Sequence, residues 1–349
     1  ASQNRLGGVK LIAIETDRLS LSHRTGALSK LIFADIYVDV TSGDDGAVAG
    51  SLRARRLTSD GADAGSFTLS FDGWPRSDSF AFDMSASDLN TADISGYIDQ
   101  LPATLGKVGV LSGHLGLEMK DGLLTKLNAD VALVDGMLGI PGVGRNAAFD
   151  TADLVFSYSR PSDSLMVSKA ALNFADQRRL SFDGAVTQFH APSANVKGMI
   201  EANNLPIQSL LDGWPDLMGA DLKQTLRQRF SGGQFKFVKA EFQGAFVSET
   251  SDLTLSKLGL ESQLTGVRAN FASGQYKRLV ATIGGALGMN VGKGGQIQDV
   301  LVDLEMTDGS MLLDGYERSV DLASGQLKSG LRGDVATLEN LLSLIHISE

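Results

Sequence analysis

Two glycine-rich stretches are the first candidates for chemistry, because glycine-rich loops can cradle phosphate groups. The stretch GVGRNA (142–147) fits the G-x-G-x-x-A spacing of a dinucleotide site, which must lie between a strand and a helix. The residues that follow it, FDTADLVFSYS, alternate like a strand instead. The stretch GMNVGKGG (288–295) is one residue short of a phosphate loop, and Gly294 stands where Ser or Thr would bind Mg²⁺. Both stretches are therefore predicted to be ordinary glycine-rich loops.

The histidines do not form a recognisable metal or catalytic set. His23, His114 and His190 lie far apart, without a partner at metal-ligand spacing. The absence of cysteine excludes disulfides, thiolate catalysis and cysteine-bound metals. A Ser-His-Asp set needs no local motif and stays open, although no nucleophile elbow supports one. We predict a protein that is not an enzyme, with no catalytic residue, no metal and no cofactor.

A small basic cluster stands out in an acidic chain. Lys223, Arg227 and Arg229 lie in a segment with helical periodicity, where Lys223 and Arg227 are candidates for contacts with anionic lipid headgroups. The alternative is an ordinary solvated helix face. The net charge of −10 argues against a nucleic-acid partner, which would need a basic surface.

Strict alternation of apolar and polar residues dominates the rest of the chain and predicts strands with one apolar and one polar face. His114 falls on the polar face. Asp-Gly pairs punctuate the runs and predict hairpin turns without a calcium site. They are Asp72-Gly73, Asp121-Gly122, Asp135-Gly136, Asp183-Gly184, Asp308-Gly309 and Asp314-Gly315. The candidates for the apolar face are Phe67, Leu69, Phe71, Phe80, Phe82, Met84, Leu115, Leu117, Met119, Leu154 and Phe156.

Two segments break the alternation and match each other. In each segment, apolar residues at helical spacing are followed by a proline that stops the predicted helix. The two prolines are Pro102 and Pro215, 113 residues apart. They predict short α-helical inserts near 88–102 and 204–230. The chain is thus expected to be one continuous repetitive body, with approximate units 1–85, 86–200 and 201–341.

The predicted helices are too few to cover so much apolar strand surface, and two arrangements remain. Two sheets pack face to face as a sandwich, or one elongated, twisted antiparallel sheet curls into an open apolar groove. An exposed groove of that size needs an occupant, and acyl chains are the natural choice. The sequence therefore predicts a mostly β fold, with the groove favoured over the sandwich.

The arrangement of these segments resembles one protein family. The second insert and the strand after it read LPIQSLLDGWPDLMGADLKQTLRQRFSGGQFKFVKAEFQGAF. The upstream copy reads DLNTADISGYIDQLP, followed by LSGHLGLEMKDG and then by MLGIPGVGRNAAFDTADLVFSYS. Together they resemble the AsmA-like envelope proteins, in particular the YhdP-type branch. The likeness covers most of residues 65–341 and is weaker over 1–64. Residues 342–349, LSLIHISE, instead resemble a translated sequencing adapter and are expected to have no function.

The resemblance implies a bacterial periplasmic protein, anchored to the inner membrane by an N-terminal helix that this sequence lacks. It implies a groove-shaped β-sheet of the bridge-like lipid-transfer kind, which carries phospholipids between the inner and outer membranes. Phospholipid acyl chains and the two membranes would be its partners. The alternative is an envelope scaffold or outer-membrane protein assembly factor that conducts no lipid.

Overall fold

The alternating sequence forms strands almost everywhere. In the computed structural model, strands contain 83% of the described residues and helices 3%, so the prediction of a mostly β fold is confirmed. The structure describes residues 11–21, 31–58, 60–74, 78–91, 109–139, 146–212, 224, 227–247, 252–273, 276–292, 297–313 and 318–335. The chain divides into two units, unit 1 (1–140 and 145–172) and unit 2 (141–144 and 173–349). The threefold repeat predicted above stays a prediction.

Unit 1 contains one open antiparallel sheet. From β1 to β8 each strand pairs with the next along the chain, and β9 follows β8. Most neighbours are joined by short turns, as antiparallel pairing allows, whereas residues 91–109 separate β5 from β6. The strands are β1 (Leu11–Leu21), β2 (Leu31–Ser42), β3 (Val48–Leu57), β4 (Asp63–Trp74), β5 (Ser79–Asn90), β6 (Val110–Lys120), β7 (Leu123–Gly139), β8 (Asn146–Ser159) and β9 (Ser164–Asn173).

Unit 2 has the same antiparallel plan, with one short helix after its second strand. β11 pairs with β13, β13 with β14, and so on to β17, while the two-residue β12 pairs with β14. The elements are β10 (Arg179–Thr187), β11 (Ser193–Pro206), α1 (Ile207–Asp212), β12 (Phe230–Ser231), β13 (Gln234–Val247), β14 (Asp252–Ser273), β15 (Tyr276–Val291), β16 (Ile297–Leu313) and β17 (Val320–Val335).

Both helical inserts begin later in the chain than predicted. Residues 88–90 belong to β5, where Leu89 pairs with Leu111, and only Thr91 is helical before the described range ends. Residues 204–206 belong to β11, whose Leu205 pairs with Phe235, so α1 begins at Ile207. Pairing with a neighbouring strand thus decides the structure at the first residues of each predicted insert. Residues 92–108, 213–223 and 225–226 lie outside the described residues.

Among the Asp-Gly pairs that the structure describes, one forms the predicted hairpin turn. Asp121 and Gly122, with φ of 53° and 71°, connect β6 to β7 as this dipeptide favours. The prediction is wrong for four pairs that lie inside strands, and Asp314-Gly315 lies outside the described residues. The four are Asp72-Gly73 in β4, Asp135-Gly136 in β7, Asp183-Gly184 in β10 and Asp308-Gly309 in β16.

Candidate functional site

The eleven residues predicted for the apolar face all lie on one face of the sheet of unit 1. Strand register establishes this, since directly opposed residues of antiparallel strands point to the same side. Phe71 pairs with Phe82, which pairs with Leu117 on the next strand. The row then continues through Leu127 to Tyr158 on β8. Apolar side chains therefore follow one another without a break across five strands.

A second row runs beside the first. Leu69 opposes Met84, Met84 opposes Leu115, and Leu115 opposes Ala129, which opposes Phe156. Two residues along a strand separate the rows, about 7 Å at the usual rise per residue. We call this surface, defined by the eleven predicted residues, the apolar face of unit 1.

Exposure distinguishes this surface from a closed core. None of the eleven side chains is buried, and Met84 and Leu154 are each 39% exposed. Side chains between two packed sheets would be almost fully enclosed, because protein interiors are close-packed. Among the described residues, the apolar face of unit 1 is thus half-open rather than the dry centre of a sandwich.

Phenylalanine rings make up much of this face. The ring centroids of Phe71 and Phe82 are 6.4 Å apart with 34° between the planes, and those of Phe80 and Phe82 are 6.0 Å apart at 36°. Phe33 meets Phe67 edge-on at 5.6 Å. Such contacts hold neighbouring rings together on this face of the sheet. The result is an aromatic area that offers carbon surface and no hydrogen-bonding group.

The opposite face of the same strands is polar and ion-paired. His114 Nε2 lies 2.6 Å from Asp83 Oδ2, and the imidazole is 46% exposed, as predicted for the polar side of β6. Lys126 Nζ lies 3.0 Å from Glu118 Oε2 on the facing strand. These exposed pairs are compatible with contact with water and are worth little individually. Within β4–β8, the sheet therefore presents carbon on one side and charge on the other.

Unit 2 has a half-open apolar face that the sequence analysis did not single out. Phe182 on β10 opposes Ile200 on β11, and Gly198 on β11 opposes Phe242 on β13. Ile200 is 39% exposed. The sequence contains the pattern that predicts this face, because LSFDGAV (180–186) alternates apolar and polar residues as β4 does. We call Leu180, Phe182, Ile200, Phe242 and Phe246 the apolar face of unit 2.

Further along the same side of unit 2, the sheet is covered. Val267 and Ile283 oppose each other on β14 and β15 and are 0% and 2% exposed. Ile207, the first residue of α1, is buried in the same cluster, and Phe230 packs against it. Both described ends of the second insert therefore contact the apolar side of the sheet rather than its margin.

The polar side of unit 2 is also charged. Lys239 Nζ lies 2.6 Å from Glu241 Oε1. The hydrogen bond and the opposite charge raise the pKa of Lys239 and lower the pKa of Glu241. Both groups stay ionised at neutral pH, which keeps this side of β13 unsuited to acyl chains.

The other sequence candidates are not brought together. The prediction of glycine-rich loops is wrong where the two stretches enter strands: residues 146–147 belong to β8, where a dinucleotide site would need a helix, and residues 288–291 belong to β15. Arg227 is helical and exposed, whereas Lys223 and His23 lie outside the described residues. His190 lies in the turn after β10, beside the ring of Phe189. None of these placements adds to the apolar faces.

The chain matches no protein-family model, no curated protein and no solved structure. Within the described residues, the helices are too short or too polar to cross a membrane. Function is therefore inferred below mainly from the geometry of the two apolar faces.

Proposed function

We propose that this chain binds phospholipids by their acyl chains and carries them along its apolar faces. The observation that carries the proposal is the unbroken apolar face of unit 1, in register over five strands, with none of its eleven side chains buried. An apolar area of this extent is costly in water unless an apolar partner occupies it. Acyl chains fit because the eleven side chains that define the face offer carbon surface in rows and carry no N–H, O–H or carboxylate group.

The mechanism is physical rather than chemical. Each methylene shielded from water is worth about 0.8 kcal/mol, so a few sheltered methylenes repay several kcal/mol of the cost of leaving a bilayer. The chains would lie against residues such as Phe82 and Leu117. The headgroup would stay in water near the strand ends. No residue has to accept a proton or form a bond.

The proposal extends to the cellular role of the protein. We propose that the chain lies in the periplasm of a bacterium, attached to the inner membrane, and moves phospholipids between the inner and outer membranes. Its support is the resemblance of the insert segments to AsmA-like proteins, together with the half-open apolar faces. Arg227, exposed beside the second insert, is a candidate headgroup contact, with Lys223 as its predicted companion.

Site-specific photocrosslinking tests the proposal directly. The photoreactive residue benzoyl-phenylalanine would replace Leu69 in one variant and Thr68 in another, and crosslinked phospholipid would be detected by mass spectrometry. The two positions are adjacent on β4 but point to opposite faces. We expect phospholipid adducts at 69 and none at 68. Equal labelling at both positions, or no labelling at either, would refute acyl-chain binding on this face.

A scaffold or outer-membrane protein assembly role is the second candidate. The buried cluster around Val267 favours it, because that part of unit 2 is ordinary dry core. A scaffold predicts that the purified chain carries no phospholipid by native mass spectrometry but retains outer-membrane proteins after crosslinking in cells. Bound phospholipid in stoichiometric amount would favour the first proposal.

A further inference from the structure

A recurring pair of residues shapes both apolar faces. Four glycines lie directly opposite a phenylalanine on the neighbouring strand, although nothing in the local sequence links the partners. The pairs are Gly50 with Phe71, Gly73 with Phe80, Gly136 with Phe149 and Gly198 with Phe242. Two of these glycines belong to the Asp-Gly pairs that were wrongly predicted to be turns.

In each pair the phenylalanine ring occupies the space that a side chain at the glycine would need. A Cβ added at Gly198 would lie 2.7 Å from Phe242 Cζ and 2.9 Å from Phe182 Cε2. One added at Gly50 would lie 2.7 Å from Phe71 Cζ. Carbon atoms in contact are normally about 3.5–4.0 Å apart. The rings therefore lie over the glycine backbone, leaning across the strand instead of standing away from the sheet.

We propose that the pairs on the two apolar faces hold their rings down against the sheet, and thereby set the height of the surface on which an acyl chain lies. These pairs are Gly50–Phe71 and Gly73–Phe80 in unit 1 and Gly198–Phe242 in unit 2. The inference rests on the proposed acyl-chain binding and adds that glycines, which touch no lipid, determine how deep the lipid lies. A ring forced upright would stand in the path of a chain that crosses the strands.

Gly198 is the position where this idea is tested most cleanly. The two closest atoms to its added Cβ belong to ring side chains, and the nearest backbone atom, Asp183 O, is 3.1 Å away. At Gly50 the added Cβ would also lie 2.6 Å from the backbone oxygen of Asp39, so alanine there would disturb the strand itself. Gly198 does not have a positive φ, so alanine is compatible with its backbone.

The experiment compares Gly198→Ala with Gly288→Ala in the full chain. Gly288 opposes Glu261 on the other side of the sheet, and its added Cβ would meet nothing closer than 3.6 Å. The readout is the affinity for phosphatidylethanolamine with a nitrobenzoxadiazole group on one acyl chain, measured by fluorescence titration. A raised ring that displaces about two methylenes should weaken binding about fifteenfold, at about fourfold for each methylene. Gly288→Ala should bind like the wild type.

A second background separates ring displacement from general damage. In a chain carrying Phe182→Leu and Phe242→Leu, no ring reaches position 198, so Gly198→Ala should no longer weaken binding. An equal loss in both backgrounds would overturn the inference, as would wild-type affinity of the single variant. A wild-type chain that binds no lipid would instead refute the proposed function, so the two failures are distinguishable. Circular dichroism and melting temperature confirm that each variant is folded.

Discussion

The substitution Leu117→Asp should strongly weaken lipid binding while the chain stays folded. Leu117 lies in the middle of the apolar face of unit 1, opposed by Phe82 on one side and Leu127 on the other. Its side chain is only half-buried, so a carboxylate there can reach water and the sheet pairing is kept. Aspartate is preferred to lysine because a long cationic side chain could attract phosphate and mask the loss.

The size of the effect follows from the contact area that the lipid would lose. A carboxylate at position 117 keeps a shell of water that excludes about three methylenes from the rows around it. At about 0.8 kcal/mol each, the loss is about 2.4 kcal/mol, or roughly fiftyfold in affinity. An acyl chain that stayed in its original position would instead strip water from the carboxylate, and this desolvation costs more free energy.

Lipid content is measured by native mass spectrometry and by extraction from the purified variant. The matched control is Asn128→Asp, which adds the same charge on the polar side of β7, opposite Gly116. The control should retain wild-type lipid content. The reasoning is refuted if folded Leu117→Asp retains wild-type lipid, or if Asn128→Asp loses as much.

Three further predictions concern stability and charge. Val267→Ala, at a fully buried side chain, should lower the free energy of unfolding by about 2–3 kcal/mol, whereas Val134→Ala, at 43% exposure, should cost less than about 1 kcal/mol, as measured by urea denaturation. The pKa of Asp45 is lowered mainly by a hydrogen bond from the Ala47 N–H and then by one from the Trp74 indole. The stability that Asp45 contributes to the fold is therefore fully present above the ordinary carboxyl pKa and is lost as the pH falls through the lowered pKa. Trp74 fluorescence should report this transition in a Trp214→Phe background and lose it in Asp45→Asn. Lys239→Met should raise the Glu241 pKa toward its ordinary value, followed by carboxyl NMR, and an unchanged pKa would contradict the assigned pairing.

Faces were predictable because a strand has a side-chain period of two. Once Phe67, Leu69 and Phe71 are recognised as a strand, they must share one face, and tertiary structure cannot separate them. The same argument placed His114 on the polar side, where it pairs with Asp83. The apolar face of unit 1 therefore follows from alternation, together with pairing of neighbouring strands along the chain.

Local turn chemistry was a poorer guide. Asp121-Gly122 forms a turn, but Asp72-Gly73 continues β4, because pairing with β3 and β5 on its two sides outweighs a dipeptide preference. The predicted start of the second insert was wrong for the same reason at Leu205, where β13 supplies backbone partners. Preferences worth a fraction of a kcal/mol yield to a ladder of hydrogen bonds.

Alternation alone was enough to specify strands, their two faces and the apolar character of one of them. Three-dimensional packing decided which stretches of that face are open and which are covered. Phe82 and Val267 lie in equally apolar strands, yet only Val267 is enclosed, beside Ile207 and Phe230 from a distant part of the sequence. Packing also gave Gly198 its neighbour Phe242, 44 residues away. Such contacts join residues remote along the chain, and no local pattern encodes them.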